Sequence, residues 1–176
     1  ADGAREAIRE HTGKSLLQKW LPEFSDGKHT YACPGVLVGP EVLEKTSGKT
    51  WDDIAENNPW IKEQKLVAKP DQLIKRRGKA GLVAVNKSFD EAKTWVMDRM
   101  CKDQKIEEVT GQLTHFLVEP FVPHDQSEEF YICLISQRYF DEILFYHEGG
   151  VDVGDVDSKA EKLKISVGEG LIETLV

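Results

Sequence analysis

The sequence predicts an α+β protein built of two lobes. Strand and helix signals alternate through its middle, and from residue 113 strand signals follow one another in the manner of an antiparallel sheet. At 176 residues the chain has room for one domain, or for two small lobes sharing a core. The break falls near residues 110–114: residues 30–112 make the first lobe, and 1–29 with 113–176 contribute to the second.

Residues 4–21 carry Ala7, Ile8, Leu16, Leu17, Trp20 and Leu21 on a rough apolar stripe, which predicts a helix. Thr12-Gly13 interrupts the period, Ser15 is placed to cap a second short helix, and Pro22 ends it. Tyr31 to Val38 reads as a strand ending at Gly39-Pro40. Trp51-Asp52-Asp53-Ile54 opens a short helix whose acidic first turn complements the helix dipole, and Asn58-Pro59 closes it. Leu66 to Lys69 is a short apolar strand stopped by Pro70, and Gly81 to Val85 is another. Ser88 and Glu91 have the spacing of a capping box, ahead of a helix with Ala92, Trp95, Val96 and Met100 on one face. Strand candidates then run from His115 to Val122, Glu129 to Gln137, Ile143 to His147 and Leu163 to Val167.

Composition narrows the function. Forty per cent hydrophobic and 31% charged residues suit a soluble globular protein. A net charge of −8 argues against a general nucleic-acid or membrane-surface binder. No apolar run approaches the roughly 20 residues that span a bilayer, and Arg5, Glu6, Arg9 and Glu10 interrupt any signal-peptide core. Cys33, Cys101 and Cys133 lack metal or redox spacing and read as buried or idle thiols, pointing to a cytosolic setting.

Against that acidity one basic run stands out: Lys69, then Lys75-Arg76-Arg77-Gly78-Lys79 and Gly81 between two strands. A lysine in an apolar strand is costly to desolvate unless an anion faces it. Glycines let backbone N–H groups approach phosphate oxygens, and Arg77 offers a planar fork. No Walker spacing is present. A solvated basic hairpin or a nuclear-localisation-like run fits the same composition, and the residues alone do not choose. A second segment, Leu117 to His124, holds Pro120 and Pro123, which remove two backbone donors and predict a kinked connector in place of a central strand. Such a hinge exposes backbone groups to an adenine edge, and Glu129 beyond it could accept ribose hydroxyls; an edge strand protected by prolines is the competing reading. Asp152, Asp155 and Asp157 do not follow the EF-hand ladder, and His147 has no partner that fixes it as acceptor or base.

Together the segments 66–83, 119–131 and 147–157, with Glu10 to Leu17 ahead of them, resemble the beginning of the ATP-citrate lyase family and, more distantly, the β subunit of succinyl-CoA synthetase. The resemblance runs from about Arg9 to about Leu163 and is poor over residues 22–50. It implies an ATP-grasp fold, truncated on its C-terminal side, in which two α+β lobes close on ATP or ADP. By position, Lys69 would contact the α/β-phosphates, and Arg77 and Gly78, with Arg76, would belong to a loop over them. Pro120 and Val122 would offer backbone contacts to adenine, and Glu129 would bind the ribose. The family uses Mg-ATP, citrate and coenzyme A to make acetyl-CoA and oxaloacetate through phosphohistidine and citryl intermediates. Its Mg2+ ligands, phosphohistidine, citrate and coenzyme A sites are expected outside this chain, as is its homotetramer interface. The chain is thus expected to be a piece of a larger protein, inactive alone and prone to self-association through the 113–167 sheet. A β-type subunit of another acyl-CoA synthetase, or an interaction module docking an acidic partner through residues 75–79, are the alternatives.

Overall fold

The computed structural model describes residues 7–74, 77–78, 80–106, 109–149 and 155–168. It is α+β, with the chain divided into two compact units, Ala1–Val122 and Pro123–Val176.

The first unit contains α1 (Glu10–Phe24), β1 (Val36–Val38), α2 (Trp51–Asn57), α3 (Trp60–Glu63), β2 (Leu66–Pro70), β3 (Ala84–Lys87), α4 (Phe89–Met97), the hairpin β4 (Asp103–Ile106) and β5 (Val109–Gln112), and β6 (Phe116–Pro120). Four strands pair antiparallel in the order β1-β6-β2-β3. Side chains alternate across a pleated strand, so one face of β2 presents Leu66, Ala68 and Pro70, all buried. Register places these opposite Pro120, Val118 and Phe116 of β6. Leu66, Ala68, Phe116 and Val118, with Ile54, Ile61 and Val96 from the helices, belong to the hydrophobic core. The other face holds Lys69 opposite Leu117, and Val67 opposite Glu119. That division positions the site.

Local chemistry accounts for the helix starts. Ser88 accepts from the Glu91 amide while the Glu91 carboxylate accepts from the Ser88 amide, the capping box expected from the sequence. Thr50 and Asp53 make an equivalent box at α2.

Three expectations need correction. The first helix is continuous from Glu10 to Phe24, with Gly13 and Pro22 inside it. Ser15 does not cap a second helix; its hydroxyl donates to the His11 carbonyl one turn back. Gly13 keeps its ladder bond to Arg9, and side-chain anchors to the sheet offset the weak helical propensities here. The segment before Pro123 is no kinked connector but β6, paired on both edges, with Pro120 as its last residue, where a missing donor matters least. The hairpin over residues 103–112 was not foreseen, being short and polar.

The second unit has a single turn at Gln126–Glu128, then β7 (Tyr131–Ser136), β8 (Phe140–Tyr146), α5 (Val156–Lys159) and β9 (Glu161–Ser166). The strands form an antiparallel meander, as their succession predicts. Leu144 and Ile165 are its buried apolar residues among those described.

Phe116 is fully buried and meets the Trp95 ring edge-on at 6.0 Å. Phe116→Ala is expected to lower unfolding free energy by about 3–5 kcal/mol, read from the urea midpoint.

Candidate functional site

The charged face of the sheet is covered by the first turns of α1. Glu119 is 6% exposed and would be an unpaired buried anion if left alone. It is instead held by two ammonium groups, Lys69 at 2.8 Å from Oε1 and Lys14 at 2.6 Å from Oε2. Both lysines also reach Glu10 Oε1, Lys69 at 2.6 Å and Lys14 at 2.8 Å. Arg77 Nη2 donates to Glu10 Oε2 at 2.6 Å, while its Nη1 donates to the Pro70 carbonyl at 2.6 Å. Three cations and two carboxylates therefore close into one network, and α1 is pinned further where the His11 amide donates to buried Asp71.

The electrostatics follow from this packing. Burial would raise the Glu10 carboxyl, but the charge of Lys69 and hydrogen bonds from Lys14, Lys69 and Arg77 together outweigh it. They bring Glu10 from its ordinary 4.5 down to about 2. Burial would lower the Lys14 ammonium, and Glu10 and Glu119 together instead hold it above the usual lysine range.

The sequence-predicted residues are distributed unevenly. Lys69 and Arg77 come together on one carboxylate oxygen pair. Gly78 follows Arg77 in a turn where its carbonyl accepts from Gly81, and Arg77's carbonyl accepts from Leu82. Lys75, Arg76 and Lys79 lie outside the described residues, as does Asp152. Pro120 is half-buried at the end of β6, and Val122 is exposed two residues on. Glu129 belongs to the second unit, where its carboxylate meets His124 Nε2 at 2.8 Å. Its carbonyl accepts from the Gly149 amide at 2.8 Å. A Cβ on Gly149 would lie 2.6 Å from the Glu129 carbonyl carbon, so that close approach admits glycine only. His147 and Glu148 are both exposed and 4.0 Å apart, an arrangement that fixes no proton. Among the described residues no group of His, Cys, Asp and Glu is arranged to hold a metal ion.

Sequence reasoning assigned no role to Glu10, Lys14 or Glu119. The signal was there: β2 and β6 are apolar strands that each carry one charged residue, of opposite sign, and Glu10 and Lys14 have helical i,i+4 spacing.

An open cleft of about 430 Å³ lies between the start of α1 and the loop after β2. Its lining includes Ile8, Glu10, Leu73, Ile74 and Arg77, but not Lys69. What the arrangement can do is hold an anion at the end of β2, where an ammonium and a guanidinium converge.

A family model described as the ATP-citrate synthase ATP-grasp domain matches residues 4–175. The ATP-citrate synthase of Homo sapiens is 46% identical over 166 residues, covering 94% of this chain and 14% of that protein. The probable ATP-citrate synthase subunit 2 of Schizosaccharomyces pombe is 46% identical over 181 residues, covering 92% of this chain and 37% of the relative. Among solved structures, ATP citrate lyase from Methanothrix soehngenii in complex with citrate and coenzyme A superposes with a TM-score of 0.75 at 36% identity. That match covers 97% of this chain and 37% of the other. The chain thus spans well under half the length of the relatives it matches.

Two stability predictions follow. Glu10's folded pKa is depressed, so its contribution is whole above about pH 4.5 and is lost as pH falls toward 2. The wild type is expected to lose about 3 kcal/mol more than Glu10→Gln on acidification through that window. Urea unfolding at a series of pH values reads this; parallel curves would show that the carboxylate is not charge-paired in the folded chain. Gly149→Ala is expected to cost about 1–3 kcal/mol by pushing against the Glu129 backbone, measured the same way.

Proposed function

The chain belongs to the ATP-citrate synthase ATP-grasp family, and from that membership we propose that it is the nucleotide-binding part of an enzyme using ATP, citrate and coenzyme A. The whole reaction makes acetyl-CoA and oxaloacetate through phosphohistidine and citryl intermediates. Its phosphohistidine, citrate, coenzyme A and Mg2+ sites, and the tetramer interface, are assigned to parts of the protein outside these residues. The chain alone is inactive in citrate cleavage. No helix among the described residues is long and apolar enough to cross a membrane; a cytoplasmic location belongs to the proposal.

One observation carries the reading: Lys69 Nζ and Arg77 Nη2 each lie 2.6 Å from the same carboxylate. A carboxylate is a fair stand-in for a phosphate edge, so the donor set fits the anionic part of a nucleotide. Lys69 sits on a hydrogen-bonded strand and would be the fixed contact to the α/β-phosphates. Arg77 and Gly78, in the turn after it, would cover them together with Arg76. Phosphoryl transfer depends chiefly on positioning and charge neutralisation, which cations and backbone donors supply without a nucleophile. Pro120 and Val122 would offer main-chain groups to the adenine, and Glu129 would accept from the ribose hydroxyls. An interaction module docking an acidic partner would need only an exposed loop, whereas Lys69 is 17% exposed and pinned between carboxylates.

Equilibrium binding of Mg-ATP by calorimetry separates these readings. Lys69→Ala is expected to weaken binding at least about tenfold, and Glu129→Ala by several-fold. Equal binding by the wild type and both variants would remove the assignment.

A further inference from the structure

We propose that Glu10 is an internal competitor for the nucleotide phosphates: its carboxylate occupies the anion position at Lys69 and Arg77, and phosphate binding expels it, releasing the first turn of α1 from the sheet. This rests on the phosphate role of Lys69 and Arg77 given above.

The geometry supports the competition directly. An ammonium has three N–H donors, and Lys69 commits two of them, to Glu10 at 2.6 Å and Glu119 at 2.8 Å. While both carboxylates stay, Lys69 sits between two negative charges that offset most of its pull on a polyphosphate. Glu119 is 6% exposed and fixed on an inner strand of the sheet that is paired on both edges. Glu10 can leave. It is the first residue of α1, is partly exposed, and lines the open cleft that Lys69 does not. An anion entering there meets Glu10 and Arg77 first, and reaches Lys69 by taking Glu10's place.

The helix bearing Glu10 is suited to release. No residue of α1 is fully buried, and Ile8, Leu16, Leu17 and Phe24 around it are exposed. Apolar packing therefore holds α1 weakly, and the ion pairs to Lys69 and Arg77, with the His11–Asp71 bond, fix its start. Lys14 retains Glu119 when Glu10 departs, so neither lysine loses all its counter-charge.

The test is Mg-ATP binding by calorimetry on the wild-type chain, Glu10→Gln and Lys69→Ala, with hydrogen exchange of residues 10–14 with and without nucleotide. Glu10→Gln keeps the side chain's size and oxygen acceptor and removes its charge. Tighter binding, by about tenfold or more, is expected although the variant is less stable. In the wild type, nucleotide should speed exchange over residues 10–14, whereas a purely structural glutamate would leave it unchanged or slower. Unchanged or weaker binding by Glu10→Gln, with Lys69→Ala impaired, overturns the competition and leaves the phosphate site standing. Binding unaffected by Lys69→Ala, or no binding by wild type and Glu10→Gln alike, overturns the phosphate site and the competition with it.

Discussion

The first unit is organised around a problem of charge: two strands at the centre of its sheet each place an ionised residue on a face that a helix must cover. Lys69 and Glu119 lie diagonally across β2 and β6, and their 2.8 Å contact alone would leave further lone pairs and protons unsatisfied. α1 completes the set with Glu10 and Lys14, and the loop after β2 adds Arg77. The two faces of one sheet are thus closed by different physics. On the core face, α2 and α4 pack Trp51, Ile54 and Val96 against Leu66, Ala68 and Phe116. On the other, a helix with no fully buried residue is held by ion pairs. Apolar packing is diffuse and tolerates small shifts, whereas a charge network fixes α1 in register against individual atoms.

The second unit is built with less. Its meander alternates along β7, yet Ile132 and Leu134 on one side remain 65% exposed. Ile132 pairs with Phe145, and Leu134 with Ile143, so one face carries a continuous apolar strip across two strands. Order at its start comes from backbone contacts instead: the Glu129 carbonyl is bonded by Gly149, and Glu128 closes a capping box with Asp125. Glu129 is held from both sides of its side chain and main chain by residues of its own unit.

Legibility of the fold from sequence tracked the range of the interactions involved. The Ser88–Glu91 box, the β2 strand stopped after Pro70 and the antiparallel succession of the late strands depend on neighbours within a few residues, and each could be read directly. For β6 only the strand within His115 to Val122 could be read, not its central position, because its place between β1 and β2 is set by pairing with residues some fifty and eighty positions earlier. The continuity of α1 through Gly13 was hidden for the same reason: local propensity argues for a break, and the anchors that override it are Lys69, Asp71 and Glu119. In the site, Lys69 was legible as a cation needing an anion. That the anion would be Glu10, 59 residues away, required the tertiary structure.

Among the described residues the cluster holds Lys14, Lys69 and Arg77 against Glu10 and Glu119, a surplus of one positive charge. Without Glu10 the surplus would be two, concentrated at the end of a buried strand, and the fold would carry that repulsion whenever no anion was bound. A phosphate site assembled before phosphate arrives needs a counter-ion of its own, and one that can be given up. A carboxylate at the first residue of a loosely packed helix meets both requirements, while one in mid-sheet, such as Glu119, meets only the first. On the proposed competition the two acids divide the roles: Glu119 orients the lysines permanently, and Glu10 keeps their outer side neutral until a stronger anion replaces it.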